Sequence, residues 1–178
     1  MHLVPLTAAD TPLIDQIGSW LKAIKPHRDP RDTILPSTDP GHFGRVAVDD
    51  AGNALGWLWG RPLFDGDTVW ELRWLIVDPT LRGSGVGRAL VGDYEAWLRD
   101  RGVLTCWLMT GEEMGETSLR GADLWADPFT PLQTIEPVAN SPFVFWQRMG
   151  YRFIGVIPDA NGPGVPEYLM GRSLRPTY

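Results

Sequence analysis

Residues 70–102 restrict the fold more than any other part of the chain. An apolar run from Trp70 to Val77, rich in aromatic and β-branched residues, closes at Asp78-Pro79 and predicts a buried strand followed by a turn. The turn continues into Arg82-Gly83-Ser84-Gly85-Val86-Gly87. Beyond it Val86, Leu90, Tyr94, Trp97 and Leu98 recur at helical spacing up to Gly102, which has the position of a C′ residue. A strand, a glycine-rich turn and a helix in that order present the unpaired amides of the helix's first turn at the positive end of its dipole. Three glycines let a bulky anion approach that backbone. The expectation is a phosphate cradle. It lacks the lysine and following Ser/Thr of a Walker loop, and its first glycine spacing is not that of the dinucleotide fingerprint.

The rest of the chain supplies elements for one sheet. His2 to Leu6 reads as a first strand, and Thr11-Pro12 as an N-cap with proline at the first helical position. Leu13, Ile14, Ile17, Trp20, Leu21 and Ile24 mark one face of a helix that Pro26 ends. Prolines from Pro26 to Gly44 leave room for short helical turns at most. Gly44 to Val48 and Leu55 to Gly60 form a hairpin around Asp49-Asp50-Ala51-Gly52-Asn53, and Phe64-Asp65-Gly66-Asp67 turns the chain into Trp70 to Val77. Val103 to Met109 predicts a strand; if it runs parallel to Trp70 to Val77, the helix between them is a right-handed crossover and the cradle sits at the carboxyl end of the earlier strand. Asp127-Pro128 and Thr130-Pro131 act as breakers. Ser141-Pro142 opens a short helix through Met149, closed by Gly150. Tyr151 to Ile157 and Glu167 to Leu174 are the last strands, separated by the loop Asp159-Ala160-Asn161-Gly162-Pro163-Gly164. The order is mixed α/β around one sheet.

At 178 residues the chain is long enough for one domain with a full core, so a single domain over 1–178 is expected. A hydrophobic fraction of 43% and a charged fraction of 21% exclude disorder as the default. No apolar run has membrane-spanning length, and the N-terminus has no basic segment before an apolar core, so a cytoplasmic protein is expected. The single cysteine, Cys106, excludes an intrachain disulfide and reads as a buried structural thiol. His2, His27 and His42 have no metal-ligand spacing, so no metal is expected. The net charge of −6 argues against a nucleic-acid partner. Between Gly111 and Asn140 six acids, Glu112, Glu113, Glu116, Asp123, Asp127 and Glu136, face one base, Arg120, and this −5 leaves −1 for all other residues. Such a segment is either a solvated acidic loop or a device that concentrates a polycationic substrate beside an active site.

The pattern Arg82, two residues, Gly85, one residue, Gly87 resembles the coenzyme A pyrophosphate loop of the GNAT N-acetyltransferase superfamily. A longer match narrows this. Trp70-Glu71-Leu72, the segment from Thr117 through Asp123-Leu124, Ser141-Pro142, Phe145, Gly150-Tyr151, Gly155-Val156 and Pro158-Asp159-Ala160-Asn161-Gly162 are similar to aminoglycoside 6′-N-acetyltransferases. The resemblance covers about Val46 to Leu174. It implies a mixed sheet splayed between its fourth and fifth strands and flanked by helices, acetyl transfer from acetyl-coenzyme A to the 6′-amine of a cationic aminosugar, and a homodimer. Nine tryptophans exceed what a core of this size needs, which leaves some for an interface.

An alkyl ammonium with a pKa near 10 must lose a proton before it attacks a thioester. Glu71 is the candidate acceptor of that proton, a carboxylate in an otherwise apolar strand; the alternatives are an outward-facing residue or a partner for Arg73. The resemblance implies that Glu71 contacts the amine, that the Leu75 backbone amide stabilises the tetrahedral intermediate, and that Ile76 and Val77 bind pantetheine through their backbones. Arg82, Gly83, Ser84, Gly85, Val86 and Gly87 would take the pyrophosphate, with Arg88 adding charge; Arg73, Glu112, Asp123 and Glu136 would face the acceptor. Two departures stand out. Trp146 occupies the position where relatives commonly carry the tyrosine that protonates the leaving thiolate, and an indole cannot serve as that acid. Water or Tyr151 would have to substitute, or catalysis would be slow. Arg73 stands where relatives often carry histidine, and a cation there repels an aminoglycoside unless a carboxylate neutralises it. An acetyltransferase for a polyamine, a peptide N-terminus or a lysine side chain, and a coenzyme-binding module with little catalysis, are the competing readings.

Overall fold

The first half of the chain builds an antiparallel sheet in which each strand lies beside its predecessor, the first two joined through a helical segment and the next by short turns. The computed structural model describes residues 1–64, 68–111, 117–137 and 142–175, and these fall into two compact units, Met1–Leu104 with Leu174–Tyr178, and Thr105–Ser173.

The first unit contains β1 (His2–Pro5), α1 (Thr11–Ile24), α2 (Pro30–Ile34), β2 (Phe43–Val48), β3 (Ala54–Pro62), β4 (Val69–Val77) and α3 (Val86–Arg99). The four strands pair antiparallel in chain order. Ile14, Ile17 and Leu21 of α1, spaced as one helical face, pack with Ile34, Val46, Trp57, Trp59 and Ile76 into the main core. Aromatic rings form a second cluster, in which Phe43 meets Tyr94 at 4.8 Å between centroids and Trp97 meets both Phe43 and Trp70. Thr11 is the first residue of α1, so the N-cap moves to Asp10; its carboxylate is taken by the amide and hydroxyl of Thr7, both at 2.7 Å. The helical turns allowed after Pro26 materialise as α2 and a 3-10 turn, Leu35–Thr38.

Helix α3 ends as its sequence predicts. Gly102 has φ 72°, its amide reaches Arg99 O and the amide of Val103 reaches Leu98 O, the paired bonds of a Schellman motif. That motif displaces the start of the next strand. Val103 is spent on the helix end and Leu104 donates to Thr68 O, so the strand expected from Val103 begins at Thr105.

The second unit contains β5 (Thr105–Gly111), α4 (Phe129–Gln133), α5 (Pro142–Arg148), β6 (Arg152–Ile157) and β7 (Glu167–Ser173), with β7 between β5 and β6 and antiparallel to both. Its core gathers Leu119, Leu124 and Tyr168, and the Tyr168 hydroxyl lies 2.8 Å from Thr117 Oγ1. Thr130-Pro131 does not break the chain. Pro131 sits inside the first turn of α4, where no amide is required. Gly150 closes α5 as Gly102 closes α3, with Tyr151 N bonded to Trp146 O. The expected N-cap Ser141 and the hairpin residues 65–67 lie outside the described residues.

Eight of the nine tryptophans are buried or half-buried, and Trp125 is the exposed one, so the surplus read from composition is mostly core.

Candidate active site

Glu71 on β4 is 1% exposed, which removes the outward-facing alternative. The strand register sets it directly opposite Arg61 on β3, and Arg61 Nε donates to Glu71 Oε2 at 2.7 Å. Arg73 NH1 donates to Oε1 at 3.3 Å. Both carboxylate oxygens therefore accept a guanidinium, and each keeps capacity for one further donor. The triad carries a net charge of +1.

A β-bulge shapes this group. Trp59 pairs with Trp74 and Gly60 with Leu72, so Arg73 has no partner on β3. Bulges bend a strand and re-aim its side chains. Beneath it, Gly60 is required by close approach: a Cβ there would lie 2.2 Å from the Tyr94 ring. Tyr94 uses that space to donate its hydroxyl to the Glu71 carbonyl at 3.0 Å, which ties α3 to β4 at the bulge.

Past the bulge the ladder alternates regularly. Asp78 N donates to Leu55 O, so by the two-residue period Ile76 also exchanges its backbone bonds with β3, while the amides of Leu75 and Val77 turn away from it. Leu75 and Val77 therefore do not spend their amides on β3. Ile76, expected to hold pantetheine, has its own committed to Trp57.

After β4, Asp78 accepts from the side chain and the amide of Thr80, which holds its carboxyl below the usual 3.8 and starts a 3-10 turn over Pro79–Leu81. Gly83 and Gly85 follow with φ 83° and 96°, a conformation L side chains rarely adopt, and the space a Cβ would fill at either is open. Gly85 is the N-cap of α3 and offers no side chain to the first-turn amides of Val86, Gly87 and Arg88. Orphan donors, open space and the exposed Arg82 and Arg88 fit a diphosphate. The Ser84 amide is spent on Leu81 O, which leaves its hydroxyl for that role.

The second unit holds the predicted acidic residues. Glu112, with Glu113 and Glu116, lies outside the described residues. Asp123 is exposed, and its Oδ1 accepts from the amides of Trp125 and Ala126. Glu136 is exposed and its backbone pairs with Ser118. A cleft of about 240 Å³ is lined by Asp123, Trp125, Pro158, Asp159 and Gly164, among others. Asp159 accepts from Gly164 N and from the Trp125 indole, at 2.7 and 2.8 Å, and these bonds lower its pKa. Trp146 is buried between Phe145 and Tyr151. The Tyr151 hydroxyl is buried and donates to Cys106 Sγ at 3.1 Å, so the one substitute acid named from sequence is committed to a thiol. Among the described residues no group of three or more His, Cys, Asp or Glu could hold a metal, and no helix is long and apolar enough to cross a membrane.

Arg61 was not legible in the sequence. It precedes Glu71 by ten positions, and the register of β3 on β4 alone makes them neighbours.

With a strand, bulge, glycine turn and helix in hand, the chain's relationship is plain. Residues 14–120, more than half of it, match the model of the acetyltransferase (GNAT) family, and the chain belongs to that family. Its α/β fold is the GNAT fold. It is similar to a solved aminoglycoside 6′-N-acetyltransferase complexed with coenzyme A, with 26% identity, a TM-score of 0.92 and coverage of 100% of this chain and 99% of that one. A second, the aminoglycoside 6′-N-acetyltransferase from Enterococcus faecium, is 27% identical at a TM-score of 0.90, again over 100% and 99%. Aminoglycoside 6′-acetyltransferase type Ii shares the fold at 24% identity and a TM-score of 0.76, over the full length of both chains. No curated protein matches the chain in sequence.

Proposed function

We propose that this chain transfers acetyl from acetyl-coenzyme A to a primary amine, the 6′-amine of an aminoglycoside, by direct attack in a ternary complex. The observation that carries the reading is a buried carboxylate, Glu71, beside a bulge in the strand that runs into an uncapped, glycine-lined helix N-terminus. The likeness to two aminoglycoside 6′-N-acetyltransferases supports the choice of amine.

In this reading the first-turn amides of α3, Gly83 to Gly87 and the charges of Arg82 and Arg88 hold the pyrophosphate. The amide of Val77 binds the pantetheine arm, a task in which Ile76 has no free backbone group. Glu71 takes one proton from the ammonium, directly or through water, and the freed nitrogen lone pair attacks the thioester carbonyl. The Leu75 amide donates to the oxygen that gains negative charge. The carbon–sulfur bond then breaks; the nitrogen, which became positively charged on attack, gives its surplus proton to water, and the thiolate takes a proton from that water, since Trp146 has no acidic group and the Tyr151 hydroxyl is spent on Cys106. Asp123 and Glu136, with Glu112, draw the polycation toward the site. The enzyme works in the cytoplasm as a homodimer and uses no metal.

A second reading, acetylation of another amine, is favoured by the +1 charge of Arg61, Glu71 and Arg73, which suits a singly charged acceptor better than a polycation. Thiol release from acetyl-coenzyme A, measured with kanamycin, spermidine and a peptide, separates the two. Turnover with kanamycin well above the others is expected; turnover with the peptide alone replaces the first reading by the second, and no turnover with any amine removes both.

A further inference from the structure

We propose that Arg73 is a built-in substitute for the acceptor's ammonium group: it occupies Glu71 Oε1 until a cationic amine displaces it, and thereby sets the affinity for the amine. The proposal rests on the reading of Glu71 as the amine's partner.

A buried ionised carboxylate needs a counter-charge and hydrogen bonds. One guanidinium is enough, and Glu71 has two. They are not equivalent. Arg61 is the cross-strand register partner, bonds through Nε at 2.7 Å, and lies 6.0 Å from the centre of the Trp59 ring. Arg73 reaches the carboxylate by a terminal nitrogen at 3.3 Å from a bulged position that no residue of β3 opposes. Both side chains are accessible to solvent, Arg61 at 41% and Arg73 at 30%, so bond length and register, not exposure, set them apart. The longer contact, made from the unopposed bulge position, is the one an incoming cation can replace. Glu71 is 1% exposed, so although its oxygens could each accept a further donor, an ammonium that takes over the position held by Arg73 avoids opening a new path to the buried carboxylate. Exchange keeps the charge around the carboxylate constant and requires no fresh desolvation of it. An ammonium added beside both guanidinium groups would instead raise the cluster to +2. The exchange also reconciles a cation at position 73 with a cationic acceptor.

The test is calorimetric binding of kanamycin in the presence of coenzyme A, with steady-state kinetics, for the wild type, Arg73→Gln and Arg73→Lys. Arg73→Gln should bind kanamycin about two- to fivefold more tightly, the range of a partly exposed ion pair, and should lower KM by a similar factor while moving kcat less. Arg73→Lys keeps the competing cation and should stay near the wild type. In a Glu71→Gln background the gain from Arg73→Gln should vanish. Arg73→Met, which keeps an alkyl stem, replaces Arg73→Gln if that variant loses coenzyme binding. Unchanged or weaker kanamycin binding by the neutral variants overturns the proposal and makes Arg73 a direct contact to oxygen groups of the acceptor. If the wild type acetylates kanamycin and Arg73→Gln is no tighter, the proposal fails and the function stands. If Arg73→Gln binds the amine more tightly but no amine releases thiol, the transferase reading fails and the exchange stands.

Discussion

The carboxylates of the two units do different work. In the first, Glu71 and Glu95 are buried and accept from arginines, Arg61 and Arg73 on one and Arg99 on the other. In the second, Asp123, Asp127 and Asp159 are exposed, and each accepts backbone amides in a turn. A paired buried carboxylate is costly to alter, because removing it strands its partners. An exposed one that caps a turn is cheap to alter and acts at a distance only through its field. Charge counted along a sequence does not distinguish the two, yet the proposed chemistry rests on the first kind.

Neutralising Glu71 should break the comparison most sharply. Glu71→Gln is expected to lower kcat at least about a hundredfold with coenzyme A affinity unchanged, the range of a lost general base. Stopped assays and calorimetry check both, and a loss under tenfold would put Glu71 among the structural carboxylates. Next in size is Gly85→Glu, which sets a negative side chain at φ 96° on the turn proposed to hold the pyrophosphate. Coenzyme A binding should weaken on the order of tenfold or more. Normal binding in calorimetry would mean that the turn is not the cradle. For the exposed acids, the double change Asp123→Asn with Glu136→Gln should raise KM for kanamycin by roughly two- to fivefold, leave kcat nearly alone, and lose its effect at high salt. A salt-independent change would give these residues direct contacts.

The smallest effect concerns pH. Asp159 has a lowered pKa in the fold, because Gly164 N–H and then the Trp125 indole favour its ionised form. The local stability it contributes is complete above the unfolded value of 3.8 and is lost as pH falls through the lower folded value. The indole proton signal of Trp125 should therefore shift below about pH 4. Asp159→Asn should abolish that titration; a midpoint above the unfolded value would reverse the sign.

Where structure depends on neighbours in the chain, the sequence was an adequate guide. The strand, the glycine turn, α3 and the Schellman glycines Gly102 and Gly150 rest on local chemistry, and the structure has them where the residues predict. Register is not local. The extra residue in β4 opposite Trp59 and Gly60 cannot be read from alternation, and with it go the Arg61 partnership and the isolation of Arg73. Cap positions fail for a related reason: Asp10 and Thr11 both suit an N-cap, and the bonds from Thr7 decide which residue fills it. Reading Glu71 as a partner of Arg73 was sound but incomplete, since two arginines share the carboxylate.

The missing Cβ at position 60 would give the two halves of the proposed reaction a common anchor. Tyr94, seated against that glycine, fastens the helix whose first turn would grip the nucleotide to the backbone of the residue whose side chain would receive the amine's proton. In the proposed reaction, nucleotide grip and proton acceptor would be tied to each other through this one hydrogen bond. A methyl group introduced there would touch neither reactant, yet it would push both stations out of alignment together.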